Sequence, residues 1–279
     1  MVNPLKHLSG AIRILGQDGA MRLMSNVVVR FAPRSVVQYW NRDPEWQGLL
    51  VEFAGNRSRL DGALIDLDNP HVSRGIKSRF FRGTYEQPER WLASRYLPGN
   101  LPVIEIGGCL GVMGCITNRK LKNPEKHLVV EANPHMIGSI EKNRELNLCR
   151  FKIVHAALAY GSDKVVFHLN ELCVGGSVQR ATGKSVEVAT CTLQSLAAAA
   201  EGFDRFNLLC DVEGAEIDLI RHEPGFLSNH VEWLLVDMHD FIVGREQVEW
   251  AHSVLRDGGF EEVDRFNNER CYRNRGLLS

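Results

Sequence analysis

The amino-acid sequence predicts an α/β protein: a doubly wound, mostly parallel sheet with helices on both faces, preceded by a separate N-terminal extension. Three observations predict it. From residue 86 onward, short apolar runs alternate regularly with amphipathic segments of helical length. The run Val103-Ile104-Glu105-Ile106 breaks into Gly107-Gly108-Cys109-Leu110-Gly111, which describes a buried strand turning sharply into a helix. A second apolar run ends in Glu131-Ala132-Asn133-Pro134, at the spacing of one strand–helix–strand unit with an acid at its second strand end.

The elements follow in chain order. Residues 1–80 form the extension. Ile12, Leu15, Leu23, Met24, Val27, Val28 and Phe31 among Arg13, Arg22, Arg30 and Arg34 suggest one or two amphipathic helices for packing or dimerisation, with a membrane-facing surface or a lid as the alternative. Leu49–Phe53 and Ala63–Leu67 are β-prone, and the turn residues Gly55-Asn56-Arg57 and Asp68-Asn69-Pro70 suggest a short antiparallel element. Residues 81–279 are the main domain. Helix 88–96, closed by Pro98-Gly99, precedes strand 102–106, a helix from about Gly111, strand 127–131, helix 134–146 and strand 151–155. Strands 164–169 and 185–191 flank a turn at Gly175-Gly176. The alanine-rich 193–200 is helical. Strand 206–211 ends in Asp211 with a helix from about Gly214, and strand 231–238 ends in Asp237-Met238-His239-Asp240. Helix 246–256 stops at Gly258-Gly259, and 261–264 with 270–273 around Asn267-Asn268 forms a hairpin that adds antiparallel strands at one sheet edge.

Bulk properties narrow the partners. The 279 residues carry 33 lysines and arginines against 34 acids, so nothing favours a polyanion, and no nucleic-acid substrate is expected. The seven cysteines are odd in number and lack a Cys-x-x-Cys pair, as expected of a reduced, cytoplasmic protein without structural zinc. No segment approaches the ~20 apolar residues of a transmembrane span, and no secretory leader is recognisable.

The glycine turn selects among nucleoside cofactors. A dinucleotide fingerprint has Gly-x-Gly-x-x-Gly, which brings backbone amides and a helix N-terminus up to a pyrophosphate. Here the six residues are Ile106-Gly107-Gly108-Cys109-Leu110-Gly111, so the first glycine is missing. Glu105 before the turn would oppose a diphosphate, yet it suits a cofactor with an ammonium group and a cationic sulfur. S-adenosylmethionine is therefore the expected cofactor, with Gly107 and Gly111 passing beneath it and Glu131 accepting from both ribose hydroxyls. A nicotinamide-dependent oxidoreductase is the second reading of the same unit.

Residues from about 80 to 273 resemble the FkbM family of S-adenosylmethionine-dependent methyltransferases. The likeness is carried by Gly83-Thr84-Tyr85-Glu86, Val103 to Gly111, Glu131-Ala132-Asn133-Pro134, Asn143 and Ala156-Ala157-Leu158. It continues through Gly176-Ser177, Ser185-Val186-Glu187-Val188 with Thr192-Leu193, and the most specific piece, Asp211-Val212-Glu213-Gly214-Ala215-Glu216. The resemblance implies a seven-stranded, Rossmann-like class I methyltransferase fold and O-methylation of a hydroxyl on a sugar, glycan or natural product. It also implies a cofactor shell of Tyr85, Glu86, Glu105, Gly107, Gly108, Gly111, Glu131, Ala132, Asn133, Ala157 and Asp211. The chain departs from the family pattern at Leu209, where members often carry lysine, and at Asp237-Met238-His239, where Glu-x-His is common. The lysine's loss leaves open a non-catalytic partner of another methyltransferase.

Alcohol methylation needs a base, or a cation that lowers the hydroxyl pKa. His239 is the preferred base because an imidazole titrates near working pH; a hydrogen-bonded strand-end histidine is the alternative. Asp211 either orients the acceptor or holds the cofactor's ammonium group. Glu213 either shares in catalysis or interacts with the following helix N-terminus. Asp211, Glu213, Asp237, His239 and Asp240 together could hold magnesium or calcium, but a bound metal is not the favoured reading. His7, His71, His127, His135, His155, His168, His222, His230 and His252 show no ligand spacing. Trp40, Trp46 and Trp91 read as packing anchors before sugar-stacking platforms. The expected partner is a small-molecule or saccharide acceptor, with homo-oligomerisation left open.

Overall fold

The computed structural model describes residues 43–169 and 184–277. The expected helices among positions 12–34, Trp40 and the turn at Gly175-Gly176 lie outside the described residues. The chain divides into two compact units, Met1–Tyr85 and Glu86–Ser279.

In the first unit, helix α1 spans Pro44–Phe53. This corrects the strand expected over Leu49–Phe53. Asp43 accepts a hydrogen bond from the Glu45 amide at 2.9 Å, and Pro44 occupies the first helical position, where its missing N–H costs nothing. The antiparallel element exists, but with a different partner strand. Strand β1 (Arg57–Leu60) pairs with β2 (Ala63–Asp66) across a two-residue turn at Asp61 (φ 46°) and Gly62 (φ 84°). Two left-handed residues match the twist of a tight hairpin, and Asp-Gly is the pair that tolerates them. Helix α2 (Arg74–Arg82) is capped by Ser73 and ended by Gly83 in the left-handed region (φ 72°). Its Lys77 pairs with Glu52 of α1 at 3.0 Å.

The second unit opens with helix α3 (Gln87–Tyr96), followed by strand β3 (Val103–Ile106), helix α4 (Val112–Asn118), strand β4 (His127–Glu131), helix α5 (Pro134–Leu146) and strand β5 (Lys152–His155). Strands β6 (Ala157–Leu158), β7 (Lys164–Leu169) and β8 (Lys184–Cys191) form a small separate sheet in the order β6-β8-β7. Then come helix α6 (Leu193–Ala198), strand β9 (Phe206–Cys210), helices α7 (Glu216–His222) and α8 (Pro224–His230), and strand β10 (Val231–Asp237). Helices α9 (Asp240–Val243) and α10 (Arg245–Asp257) and strands β11 (Phe260–Phe266) and β12 (Glu269–Asn274) complete it.

The main sheet has seven strands in the order β11-β12-β10-β9-β3-β4-β5. The pairs from β10 through β5 are parallel, whereas β12 runs antiparallel to both of its neighbours. This is a doubly wound, Rossmann-like α/β architecture, with the hairpin at one edge. Strand alternation builds two cores. Ile104, Ile106, Leu128, Val130, Leu208, Leu234 and Val236 face α7, α8 and α10 through Leu219, Ile220, Leu227, Ala251 and Leu255. Val103, Leu209, Leu235 and Cys271 face the opposite layer through Leu92 and Ala93 of α3 and Met113 of α4. Each fully buried leucine or isoleucine contributes about 1.5–3 kcal/mol, so the two cores fix the sheet on both sides. From β3 the chain winds outward through β4 and β5, then crosses to β9 and β10. The order therefore reverses between β3 and β9, where a crevice opens at the carboxyl ends of an α/β sheet. No helix among the described residues is long and apolar enough to cross a membrane.

Candidate functional site

The glycine turn after β3 is held by backbone and by Glu131. The Gly107 and Gly108 amides both donate to the Val130 carbonyl, at 2.9 and 3.0 Å. Glu131 accepts from the Cys109 amide at 2.7 Å and from the Asn133 amide at 2.6 Å. Its carboxylate thus ties the end of β4 to the turn, and burial raises its pKa against the lowering effect of the Asn133, Cys109 and Ala132 amides. Asn133 caps α5 by accepting from the His135 amide at 3.0 Å. The glycines serve close approach of protein to protein. A Cβ on Gly107 (φ 101°) would lie 1.8 Å from the Asp211 carbonyl oxygen. One on Gly108 would strike Val129 at 2.5 Å, and one on Gly111 (φ 73°) would press on Ile140 at 3.2 Å.

Glu105 does not face the crevice. Being one residue out of phase with Ile104 and Ile106, it points to the side of Val103 and Leu209 and is 3% exposed. Burial pushes its carboxyl up to about 8, and neither carboxyl oxygen has a hydrogen-bond partner. His127 lies 3.5 Å away, fully buried, with burial lowering its pKa to about 3. Asn118 donates to His127 Nδ1 at 3.3 Å, which leaves the ring proton on Nε2 facing Glu105. Both groups are neutral at pH 7. The expectation that Glu105 offers a negative charge to the cofactor is therefore corrected.

A carboxylate cluster stands on the other side of the reversal point. Asp211 follows β9, Asp237 ends β10, and His239 caps the short α9. His239 is 5% exposed. Its Nδ1 meets Glu216 Oε1 at 2.9 Å, and its Nε2 faces Asp211 at 3.4 Å, Asp237 at 3.5 Å and Glu213 at 3.8 Å. Glu216 is itself locked. It accepts from the Val212 amide at 2.9 Å and the Gly214 amide at 2.8 Å, closing the turn in which Glu213 (φ 53°) and Gly214 (φ 110°) are left-handed. Glu216, not Glu213, therefore satisfies the Val212 and Gly214 amides ahead of α7.

The electrostatics overturn the base expected at His239. Burial disfavours its charge, but the hydrogen bond to Glu216 and the charges of Glu216, Asp211 and Asp237 prevail and raise its pKa to about 10. An imidazole already protonated at pH 7 accepts no further proton. Around it, burial above all raises Asp211, Asp237, Glu269 and Glu89; neighbouring carboxylates add to the rise, and the His239 charge opposes it at Asp211, Asp237 and Glu269. Asp211 keeps 34% of its side chain open, yet lies deep enough for desolvation to dominate. Glu269 stands opposite Asp237 in the β10–β12 register, and Glu86, left-handed at φ 46° ahead of α3, adds its charge to both Glu89 and Glu269.

Of the residues singled out in the sequence, Asp211, Glu213 and His239 come together, and Glu86 adds its charge to their neighbours. Gly107, Gly108, Gly111, Glu131, Ala132 and Asn133 build the neighbouring turns. Ala157 packs with Phe167 and Val188 in the small sheet. Tyr85 belongs to the first unit, where it stacks on Phe80 at 4.2 Å. Sequence reasoning missed Glu89, Glu216 and Glu269 as members of the cluster. The signals were the final acid of Asp211-Val212-Glu213-Gly214-Ala215-Glu216 and the Asn267-Asn268 turn, whose register sets Glu269 against Asp237.

Neither family models nor curated proteins match this chain. Solved structures do. The METTL16 methyltransferase domain is 13% identical with a TM-score of 0.43, covering 83% of this chain and 79% of that one. Precorrin-6y C5,15-methyltransferase from Geobacter metallireducens is 12% identical with a TM-score of 0.41, covering 68% and 89%. Aeropyrum pernix fibrillarin, solved with natively bound S-adenosyl-L-methionine, is 11% identical with a TM-score of 0.40, covering 65% and 70%. Likeness at this level says nothing of activity, which rests on the site's own chemistry.

Proposed function

We propose that this chain is an S-adenosylmethionine-dependent methyltransferase that methylates a hydroxyl of a sugar, glycan or natural product. The observation that carries the reading is the charge at the reversal point of the sheet. Asp211, Glu213 and Asp237 face one nitrogen of the His239 imidazolium and Glu216 binds the other, while Glu269, Glu89 and Glu86 add carboxyl groups next to them. A pyrophosphate would be repelled there, whereas a ligand bearing an ammonium and a sulfonium would relieve the repulsion. Glu131, fixed at the end of the adjacent strand, keeps lone pairs for ribose hydroxyls beyond the amides it already serves.

When bound, the cofactor supplies an electrophilic methyl group for in-line displacement by the acceptor oxygen. The protein's part is alignment and charge. Asp211, with its open carboxylate, accepts the hydrogen bond of the acceptor hydroxyl and then its proton, because burial has raised its proton affinity. His239 is a positive partner to the developing alkoxide. Phe241 is 68% exposed with its ring edge-on to His239 at 5.6 Å, and it offers a stacking face for the apolar side of a sugar. This role replaces the one considered for Trp91, which packs edge-on against Phe266.

Calorimetry with S-adenosylhomocysteine tests the reading. The wild type is expected to bind, and Glu131→Ala to lose at least about tenfold in affinity, since a charged hydrogen bond is worth roughly 1.5–3 kcal/mol. A wild type that fails to bind, or a variant of unchanged affinity, would defeat it.

A further inference from the structure

We propose that Asp211, Asp237 and His239 form a site for a divalent cation of the manganese type at the carboxyl ends of β9 and β10. One ligand atom from each lies within 4.8 Å of the others. His239 Nε2 stands 3.4 Å from Asp211 Oδ1 and 3.5 Å from Asp237 Oδ2. Donors about 2.1 Å from a common ion, at octahedral to tetrahedral angles, stand roughly 3.0–3.5 Å apart. The two donor separations that involve the histidine therefore already sit at the spacing of a coordination shell, and the two carboxylate oxygens lie within 4.8 Å of each other.

Acids gathered at a strand end are common, and two further observations separate this group from a fortuitous one. The first is the histidine. His239 is 5% exposed, and the hydrogen bond of its ring runs from Nδ1 to Glu216, a carboxylate 1% exposed and fixed by the Val212 and Gly214 amides. That relay sets the tautomer and aims Nε2 at the two aspartates, as outer-sphere carboxylates do for histidine ligands. The second is Glu269. It is 7% exposed, its Oε2 has no hydrogen-bond partner, and it stands opposite Asp237 in the β10–β12 register. Buried oxygens of Asp211 and Asp237 are likewise without hydrogen bonds. Buried carboxyl oxygens left without a donor are open to a cation nearby.

Two carboxylates and one imidazole suit Mn²⁺, with Mg²⁺ a weaker and Zn²⁺ a competing occupant. A bound ion takes the position of the Nε2 proton. If the methyl-transfer reading holds, on which this role rests, a bound ion would replace the His239 proton as the positive charge beside the acceptor and lower the hydroxyl pKa, and with Asp211 engaged as a ligand the hydroxyl proton would pass to water in place of Asp211.

The test uses the metal-stripped full chain and Mn²⁺ followed by electron paramagnetic resonance. One equivalent is expected to bind below about 0.1 mM, with Mg²⁺ displacing it at higher concentration. Spin-echo spectra of the wild type should show nitrogen modulation from one directly bound imidazole, a readout that needs no variant. His239→Gln should remove that modulation and weaken binding at least tenfold. Glu216→Gln should weaken it roughly 10–100-fold without touching the ion. Less than half an equivalent bound at about 1 mM, or bound Mn²⁺ without nitrogen modulation, overturns the site. S-adenosylhomocysteine binding measured without metal separates this failure from failure of the methyltransferase reading.

Discussion

Glu105 and His127 make opposite demands on pH. Glu105 is held neutral in the fold, with its pKa raised to about 8, whereas an unfolded glutamate ionises near 4.5. Above pH 4.5 the unfolded chain gives up a proton that the folded chain retains, so stability falls as pH climbs toward 8. His127 has a folded pKa of about 3 against an unfolded value of 6.5, so stability falls as pH drops below 6.5. The pair's contribution is best between about 4.5 and 6.5 and declines on both sides. Glu105→Gln should remove the alkaline limb and raise the melting temperature at pH 8.5 more than at pH 5. The gain at the higher pH is on the order of a few kcal/mol, since every tenfold change in a proton-binding constant corresponds to about 1.4 kcal/mol. Equal gains at both pH values would refute the neutral-acid assignment. The sequence announced this acid beside the glycine turn but not its direction. A single polar residue in an apolar strand carries no sign of which face it takes until its neighbours are known to alternate. The same limit hid the protonated state of His239: its residue type was legible, but the carboxylates that hold its proton come from β9, α7 and β10 and meet only in the fold.

At the scale of elements, what could be read depended on whether the signal was local. Helix α5 was legible to the residue because Asn133-Pro134 caps it and its apolar positions recur at helical spacing. Helix α1 was misread because Leu49-Leu50-Val51 is a short apolar run, ambiguous between strand and helix, and the decisive cap at Asp43-Pro44 stands several residues upstream. Glycines divide along the same line. Gly107 was chosen by a contact between two turns distant in sequence, and Gly107→Ala would set a methyl 1.8 Å from the Asp211 carbonyl oxygen at a φ of 101°. We expect a loss above about 3 kcal/mol in urea unfolding, or no folded protein at all. Gly138, exposed in the middle of α5 with nothing within 4 Å of a Cβ, is the counterpart. Gly138→Ala should stabilise by about 0.5–1 kcal/mol through helix propensity alone. A Gly107→Ala variant as stable as the wild type would mean that the β3 and β9 turns do not meet as described.

For the whole molecule, alternation of strands and helices announced the fold class, and the terminal hairpin announced the antiparallel edge. The order of strands was not written locally. Nothing in Phe206–Cys210 says that it returns to pair with β3, because a fully apolar strand fits any interior position of a parallel sheet. That return places Asp211 against the glycine turn, and so the site depends on the least local feature of the fold. The second unit contains all seven strands of the main sheet and both helical layers, including the buried core on each face. A chain of residues 86–279 should therefore fold on its own. Far-ultraviolet circular dichroism should show mixed α/β content, and urea should produce one cooperative transition, with a denaturant slope appropriate to roughly 190 residues. The transition should coincide by circular dichroism and by fluorescence of Trp91, Trp233 and Trp250. A gradual, non-cooperative loss of signal would show that the core of the second unit is incomplete without residues 1–85, and that the boundary between the units does not divide independent folding bodies.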